Sequence, residues 1–379
     1  MSQTFPQFFS EWISITLIAQ YSLFLQVGVP FATNREMAIA YGNKNLKNIN
    51  EMALTSLINL FVASFALFIL LKAYSAFSLL VFLYISLNHL SALLITQARS
   101  NFRNSKVILT FILEGILIIV GLIYYFDPLI PLQTFLHILI LAAIPSLILC
   151  SPSPDVFKLN NFKIKQLLKV EYKLIKFGFQ LMVFSVSFLV LISWDVIAMK
   201  IIFPDRYENY AITLFFSNSA NIFTGLIAIF FLPYLGREFG ESEHKISLKM
   251  IKIFTQYRLI VVIFFIVSLL HFYPVLYFLS NFILHNYRDF LEIIYFRTIA
   301  IMIGFIALPY FHFFNAIRKP KISIYLLVIT IALTIILSFL LSIYIELEAA
   351  FVISITFANL ILLTLCNLSF KKLNLIKID

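Results

Sequence analysis

The chain has 379 residues, of which 61% are hydrophobic and 12% charged, with a formal net charge of +10. Soluble domains carry about 25% charged residues, so this balance excludes a water-soluble globular protein. The surplus of lysine and arginine follows bilayer sidedness along the chain, and no nucleic-acid partner is expected from it.

A hydrocarbon core of ~30 Å needs about 20 apolar residues at 1.5 Å rise each. Eleven stretches meet that length: 11–33, 52–72, 76–97, 107–126, 131–150, 178–200, 209–233, 256–280, 291–315, 323–343 and 348–368. They are continuous apolar runs, unlike the alternating ten-residue segments of an outer-membrane barrel. Inside lipid a helix satisfies its own N–H and C=O groups. The fold class predicted is an all-α integral membrane protein with about 11 transmembrane helices.

The first ten residues hold no basic residue and no separate apolar run, so no signal peptide is expected. The first span ends Gly28-Val29-Pro30-Phe31 and is followed by Arg35-Glu36. The seventh ends Phe231-Leu232-Pro233-Tyr234 and is followed by Arg237-Glu238. This echo suggests an internal repeat. It predicts two six-helix lobes with the first helix missing: an N-terminal transmembrane lobe over 1–150 and a C-terminal one over 178–379.

Basic residues mark the odd-numbered connections. Arg35, Lys44 and Lys47 follow the first span, and Arg99, Arg103 and Lys106 the third. Lysines 158, 163, 165, 169, 173 and 176 follow the fifth; Arg237, Lys245, Lys249, Lys252 and Arg258 the seventh. Arg318, Lys319 and Lys321 follow the ninth, and Lys371, Lys372 and Lys377 the eleventh. That set holds 23 of the 28 basic residues. Basic connections are retained in the cytoplasm, so the N-terminus is expected outside and the C-terminus inside.

The segment 151–177 is predicted to be a cytoplasmic linker. Ser151-Pro152-Ser153-Pro154 ends the fifth helix, because proline cannot continue one. Residues 162–176 then read as an amphipathic helix, with Lys165, Lys169, Lys173 and Lys176 on one face and Ile164, Leu168, Tyr172 and Ile175 on the other. A basic helix with an apolar back belongs in the headgroup plane.

Three stretches together resemble the oligosaccharide-flippase and polysaccharide-export branch of the multidrug/oligosaccharidyl-lipid/polysaccharide (MOP) superfamily, typified by the Wzx-type O-antigen flippases. Gly28 to Gly42 looks like the family's second-helix exit. Residues 175–210, with Lys176-Phe177-Gly178, Asp195 and Tyr210, look like its seventh helix and the start of the next. Residues 313–359, through Asn315, Lys319-Pro320-Lys321 and Glu348-Ala349-Ala350, look like its last three helices. The family more often has Gly-Lys at 318–319 and Gly-Ala-Ala at 348–350, and this chain departs from it at both places. The resemblance implies two lobes around a central cavity. It also implies alternating-access flipping of a polyprenyl-pyrophosphate-linked oligosaccharide, without enzymatic turnover, cofactor or metal. A multidrug/cation antiporter of the same superfamily is the alternative. A membrane polymerase or glycosyltransferase is a more distant one, because the outer connections are short. The partners expected are the lipid-linked oligosaccharide, membrane lipids and a proton or cation gradient.

Such a cargo needs cationic and amide groups, and intramembrane ionisable residues face a cavity or a partner. Arg297, near the outer end of the ninth span, is a candidate for holding a pyrophosphate bidentately, or else it snorkels to the interface. Arg35 is a candidate phosphate ligand at the cytoplasmic mouth, or an anchor paired with Glu36. Asn218 and Asn221 share a helical face with Ser217 and Thr224, which suits a glycan-facing wall or helix–helix packing. Glu114 lies eight residues beyond Lys106, about 12 Å into the span. It is expected as a coupling or cavity carboxylate, or as the partner of a buried base. Asp195, beside Trp194, is a second such carboxylate or an interfacial residue.

Other constellations carry less. His89, His137, His271 and His312 lie on separate spans without metal-ligand spacing, and Glu241-Ser242-Glu243-His244 reads as a solvated turn. Cys150 and Cys366 fall at cytoplasmic helix ends, where no disulfide is expected. No Gly-x-x-x-x-Gly-Lys phosphate loop occurs in the sequence.

Overall fold

A computed structural model describes residues 4–73, 79–124, 132–152, 164–282, 288 and 290–375. Among these the protein is all-α, as expected of a chain whose backbone must be satisfied within each segment. Among the described residues, eight helices are long and apolar enough to span a membrane, and a ninth span follows if one bent pair is counted as a unit. It is a multi-pass membrane protein.

Two compact units emerge. The first comprises mainly Ser14–Met182 together with Gly236–His244, and the second mainly Val183–Leu235 and Lys245–Asp379.

The first unit contains the C-terminal part of α1 (Thr4–Tyr21), then a 3-10 turn (Ser22–Gln26), α2 (Val29–Gly42), α3 (Leu46–Ala73), α4 (Leu79–Ser100) and α5 (Asn104–Tyr124). The short α6 (Leu132–Ala142) and α7 (Ile144–Leu149) follow, then the start of α8 (Ile164–Ile202). On α3, Leu57, Leu60, Leu67 and Leu71 are buried at helical spacing, while Phe61, Phe65 and Ile69 are exposed. An exposed apolar face of that size is what lipid contact requires.

The span expected at 11–33 is not one straight helix. It bends by 65° between Glu11–Gln26 and Val29–Gly42. Val27 and Gly28 both take positive φ there, and Pro30 occupies the first turn of α2. Gly28 crosses Gly178 of α8 so closely that a Cβ on either would overlap the other's carbonyl. The span expected at 131–150 is likewise divided, into α6 and α7, ahead of Pro145, whose missing N–H interrupts the ladder.

The basic segment ahead of the sixth span is not a separate element. From Ile164 onward it forms the opening turns of α8, a 39-residue helix. Its inward contact within the first unit runs through Leu174. Leu174 is buried in a cluster with Val29, Met37, Met52 and Leu54, flanked by Leu167, Val170 and Ile175. Leu168 and Tyr172 are exposed beside the lysines.

The second unit runs through the rest of α8, α9 (Pro204–Tyr210), most of α10 (Ile212–Glu241), α11 (Leu248–Phe282), α12 (Leu291–Phe305), α13 (Leu308–Ala316), α14 (Pro320–Leu341) and α15 (Leu347–Leu375). Helix α15 packs between α12 and α14. It buries Phe351, Ile355, Ala358, Leu362 and Cys366 at helical spacing. Asn359 donates Nδ2 to the Ala300 carbonyl of α12 at 2.9 Å, beside Gly304. On α14 the buried face carries Ser323, Thr330, Thr334 and Ser338. Thr330, Thr334 and Ser338 each return their hydroxyl to the carbonyl four residues earlier. Small side chains of this kind let membrane helices approach closely where hydrophobic burial supplies no drive.

Candidate functional site

In the second unit, three elements converge on one cation. Helix α12 supplies Arg297, α8 supplies Asp195, and the α9–α10 corner supplies Tyr210, Thr213 and Ser217. Arg297 is 0% exposed, and so are Asp195 and Tyr210. The guanidinium donates Nε to Asp195 Oδ2 at 2.6 Å and Nη2 to Oδ1 at 2.8 Å. Its second Nη2 hydrogen goes to the Ile192 carbonyl at 2.9 Å. Nη1 reaches the Thr213 carbonyl at 3.1 Å and Ser217 Oγ at 2.7 Å. Tyr210 Oη donates to Asp195 Oδ2 at 2.7 Å, and the guanidinium lies over the Tyr210 ring at 5.8 Å from its centroid.

A guanidinium has five N–H donors, and these five bonds occupy all of them. Asp195 is therefore not interfacial; it is the counter-charge of Arg297. Arg297 neither snorkels nor offers a free edge to an anion. The arrangement fits the rule that a charge in hydrocarbon is paired and fully hydrogen-bonded.

Glu114 in the first unit is placed very differently. It is half-buried on α5, where Ser91 Oγ donates to its Oε1 at 3.5 Å. No ion pair to it exists among the described residues. A cavity of about 140 Å³ opens beside it, lined by Tyr84, Asn88 and Ser91 of α4, Ile118 of α5, and Ala142 and Ala143 at the α6–α7 break. A carboxylate that opens on this cavity at the α6–α7 break can take up a proton or a cation.

Arg35 is buried at 7% exposure, with its Nε donating to Glu36 Oε1 at 2.9 Å and its guanidinium over Phe177. Asn218 and Asn221 lie on the α10 helix, but their side chains fall outside the described residues. Their neighbours on that face, Ser217 and Thr224, are buried. No group of three or more His, Cys, Asp or Glu able to hold a metal exists among the described residues.

Sequence reasoning singled out Arg297 and Asp195 separately and missed that they form one unit. Thr213 was missed altogether. Its contribution is a backbone carbonyl, which no residue type advertises.

No family model matches the sequence. No curated protein matches it either. Solved structures do. A point mutant of the MATE transporter VcmN of Vibrio cholerae superposes with a TM-score of 0.71 at 14% identity, over 98% of this chain and 92% of that one. The MATE transporter ClbM, in complex with Rb+, gives a TM-score of 0.59 at 13% identity, over 94% of this chain and 86% of that one. An outward-facing multidrug-resistance MATE transporter of the MOP superfamily gives 0.61 at 13% identity, over 98% and 93%. The protein has the fold of the MATE transporters, and its structural neighbours are transporters.

Proposed function

We propose that this chain is a cation-coupled secondary transporter of the bacterial inner membrane that moves organic cations. The observation that carries this reading is the contrast between two of its intramembrane charges, Arg297 and Glu114. Arg297 is saturated by Asp195, Ser217 and backbone carbonyls, so it has nothing to offer an anionic cargo. Glu114 has a cavity beside it and no cationic partner among the described residues. The one open charge in the pair is negative, and a cation is what it attracts.

On this reading Glu114 exchanges a proton or metal cation for the cargo, as the two lobes over 1–150 and 178–379 alternate access. Asp195 serves only to neutralise Arg297. The alternate basic connections support an orientation with the C-terminus in the cytoplasm. Proteoliposomes test it: an imposed proton or sodium gradient should drive a lipophilic cation such as tetraphenylphosphonium against its own gradient.

Flipping of a lipid-linked oligosaccharide is the second reading. It is favoured by the flippase-like stretches 28–42, 175–210 and 313–359, with Arg35 as the remaining phosphate candidate at the mouth. Persistence of the lipid-linked oligosaccharide on the outer leaflet in cells lacking the gene would remove this second reading.

A further inference from the structure

Arg258 is the opposite of Arg297. It follows Lys249, Lys252, Thr255 and Gln256 on the opening turns of α11, and from Leu259 to Leu270 the helix has no ionisable residue. The apolar run of this span thus begins one residue after Arg258, which sets the guanidinium at the boundary between hydrocarbon and headgroups.

The side chain is half-buried and held in place. Its Nη1 donates to Tyr310 Oη at 3.0 Å, and Tyr310 Oη in turn donates to Asn367 Oδ1 at 3.4 Å. Its guanidinium sits over Phe254 at 5.9 Å from the ring centroid. Beneath it, Phe254 stacks on Phe370 at 4.3 Å and meets Tyr310 and Phe313 at 5.2 Å each. Phe254, Tyr310 and Phe313 are all buried. Four aromatic rings from α11, α13 and α15 therefore fix the position of one cation.

No carboxylate pairs with Arg258 among the described residues. Its remaining N–H groups are not sealed in the interior, since none is a buried atom without a partner. The direction of the chain from Arg258 to Tyr310 to Asn367 spends the amide oxygen and leaves the amide N–H₂ as a further donor. Lys371 and Lys372 follow one turn after Asn367, both exposed. Arg258 and the Asn367 amide keep donors beyond those spent on Tyr310, and the two lysines stand in the next turn of α15. A fixed cation at this depth needs a counter-charge, and the one the bilayer supplies at that level is phosphate, which arginine grips with two parallel bonds.

We infer that Arg258, with Asn367 and the Lys371–Lys372 pair, forms a binding site for the phosphate of an anionic lipid headgroup at the basic end of the second unit. The site is separate from the Glu114 cavity and does not depend on the transport reading. The same chemistry would hold a free phosphate, so the test must separate the two sources.

The test uses purified full-length protein in phosphate-free neutral detergent. It is titrated with dioctanoyl-phosphatidylglycerol, with dioctanoylglycerol, which has the same chains and no phosphate, and with inorganic phosphate. Thermal stability and native mass spectrometry are the readouts. The phosphatidylglycerol should bind and stabilise the wild type, and dioctanoylglycerol should not. Arg258→Gln should weaken phosphatidylglycerol binding about tenfold, equivalent to about 1.4 kcal/mol, whereas Lys321→Gln should leave it unchanged. Tyr310→Phe, which frees the guanidinium from its orienting hydroxyl, should weaken it by about threefold and provides the answer should Arg258→Gln not fold. If inorganic phosphate matches the lipid, the anion site stands with a free phosphate as its ligand. Equal binding by the wild type, Arg258→Gln and Tyr310→Phe, or equal stabilisation by dioctanoylglycerol, would overturn the proposal.

Discussion

Arg297 and Asp195 stand 102 positions apart in the chain and share two charge-assisted hydrogen bonds in the interior of the second unit, both side chains at 0% exposure. The pair ties α12 to α8, and its remaining bonds to Thr213, Ser217 and Tyr210 tie both to the α9–α10 corner. Removing one partner leaves an uncompensated charge in a medium that cannot hydrate it. Arg297→Ala is expected to destabilise the protein by about 3–5 kcal/mol. The double change Arg297→Met with Asp195→Leu should cost less than Arg297→Ala, because no charge is stranded. Unfolding in mixed micelles, with a double-mutant cycle, measures both.

A neutral interhelical bond should matter far less. Asn359→Leu removes the hydrogen bond to the Ala300 carbonyl, and such bonds in membrane bundles average about 0.6 kcal/mol. The same unfolding measurement should place this variant close to the wild type, with any larger loss reporting crowding against Gly304.

The bend ahead of α2 rests on two glycines. Gly28 has φ +76°, a conformation that costs an L-residue about 1–2 kcal/mol, and its missing Cβ admits Gly178. Gly178 is helical, so its substitution tests the close approach alone. Both Gly28→Ala and Gly178→Ala should lower the yield of monodisperse protein on size exclusion, with Gly28→Ala the more damaging because strain adds to contact.

Much of the helical framework was legible because lipid imposes it. Phe61, Phe65 and Ile69 sit in runs whose length alone announces a span, and the exposed face they form adds nothing that composition had not required. The breaks were harder. Pro30 and Pro145 are visible in the sequence, but whether a proline bends a span or merely starts a helix depends on what packs beside it, here Gly178 for the first.

The candidate site was legible residue by residue and not as an assembly. Arg297 stood out because a cation in an apolar run is expensive. Asp195 stood out as well, but nothing in the sequence joins the two, because beside Trp194 it reads equally as an interfacial residue until the helices are packed. The inward contact of the amphipathic segment was illegible for a related reason. Leu168 and Tyr172 alternate correctly with the lysines, but the cluster around Met37 and Met52 is met by Leu174 instead.

The central claim is that the open carboxylate of Glu114 couples a cation to cargo movement. It is tested by comparing wild type and Glu114→Gln in proteoliposomes under the same imposed proton or sodium gradient. The substitution keeps the side chain's size and its contact with Ser91 while removing the charge. The account predicts that Glu114→Gln folds with unchanged thermal stability and loses gradient-driven uptake of tetraphenylphosphonium by about tenfold or more. Uptake equal to the wild type in well-folded Glu114→Gln protein would contradict it.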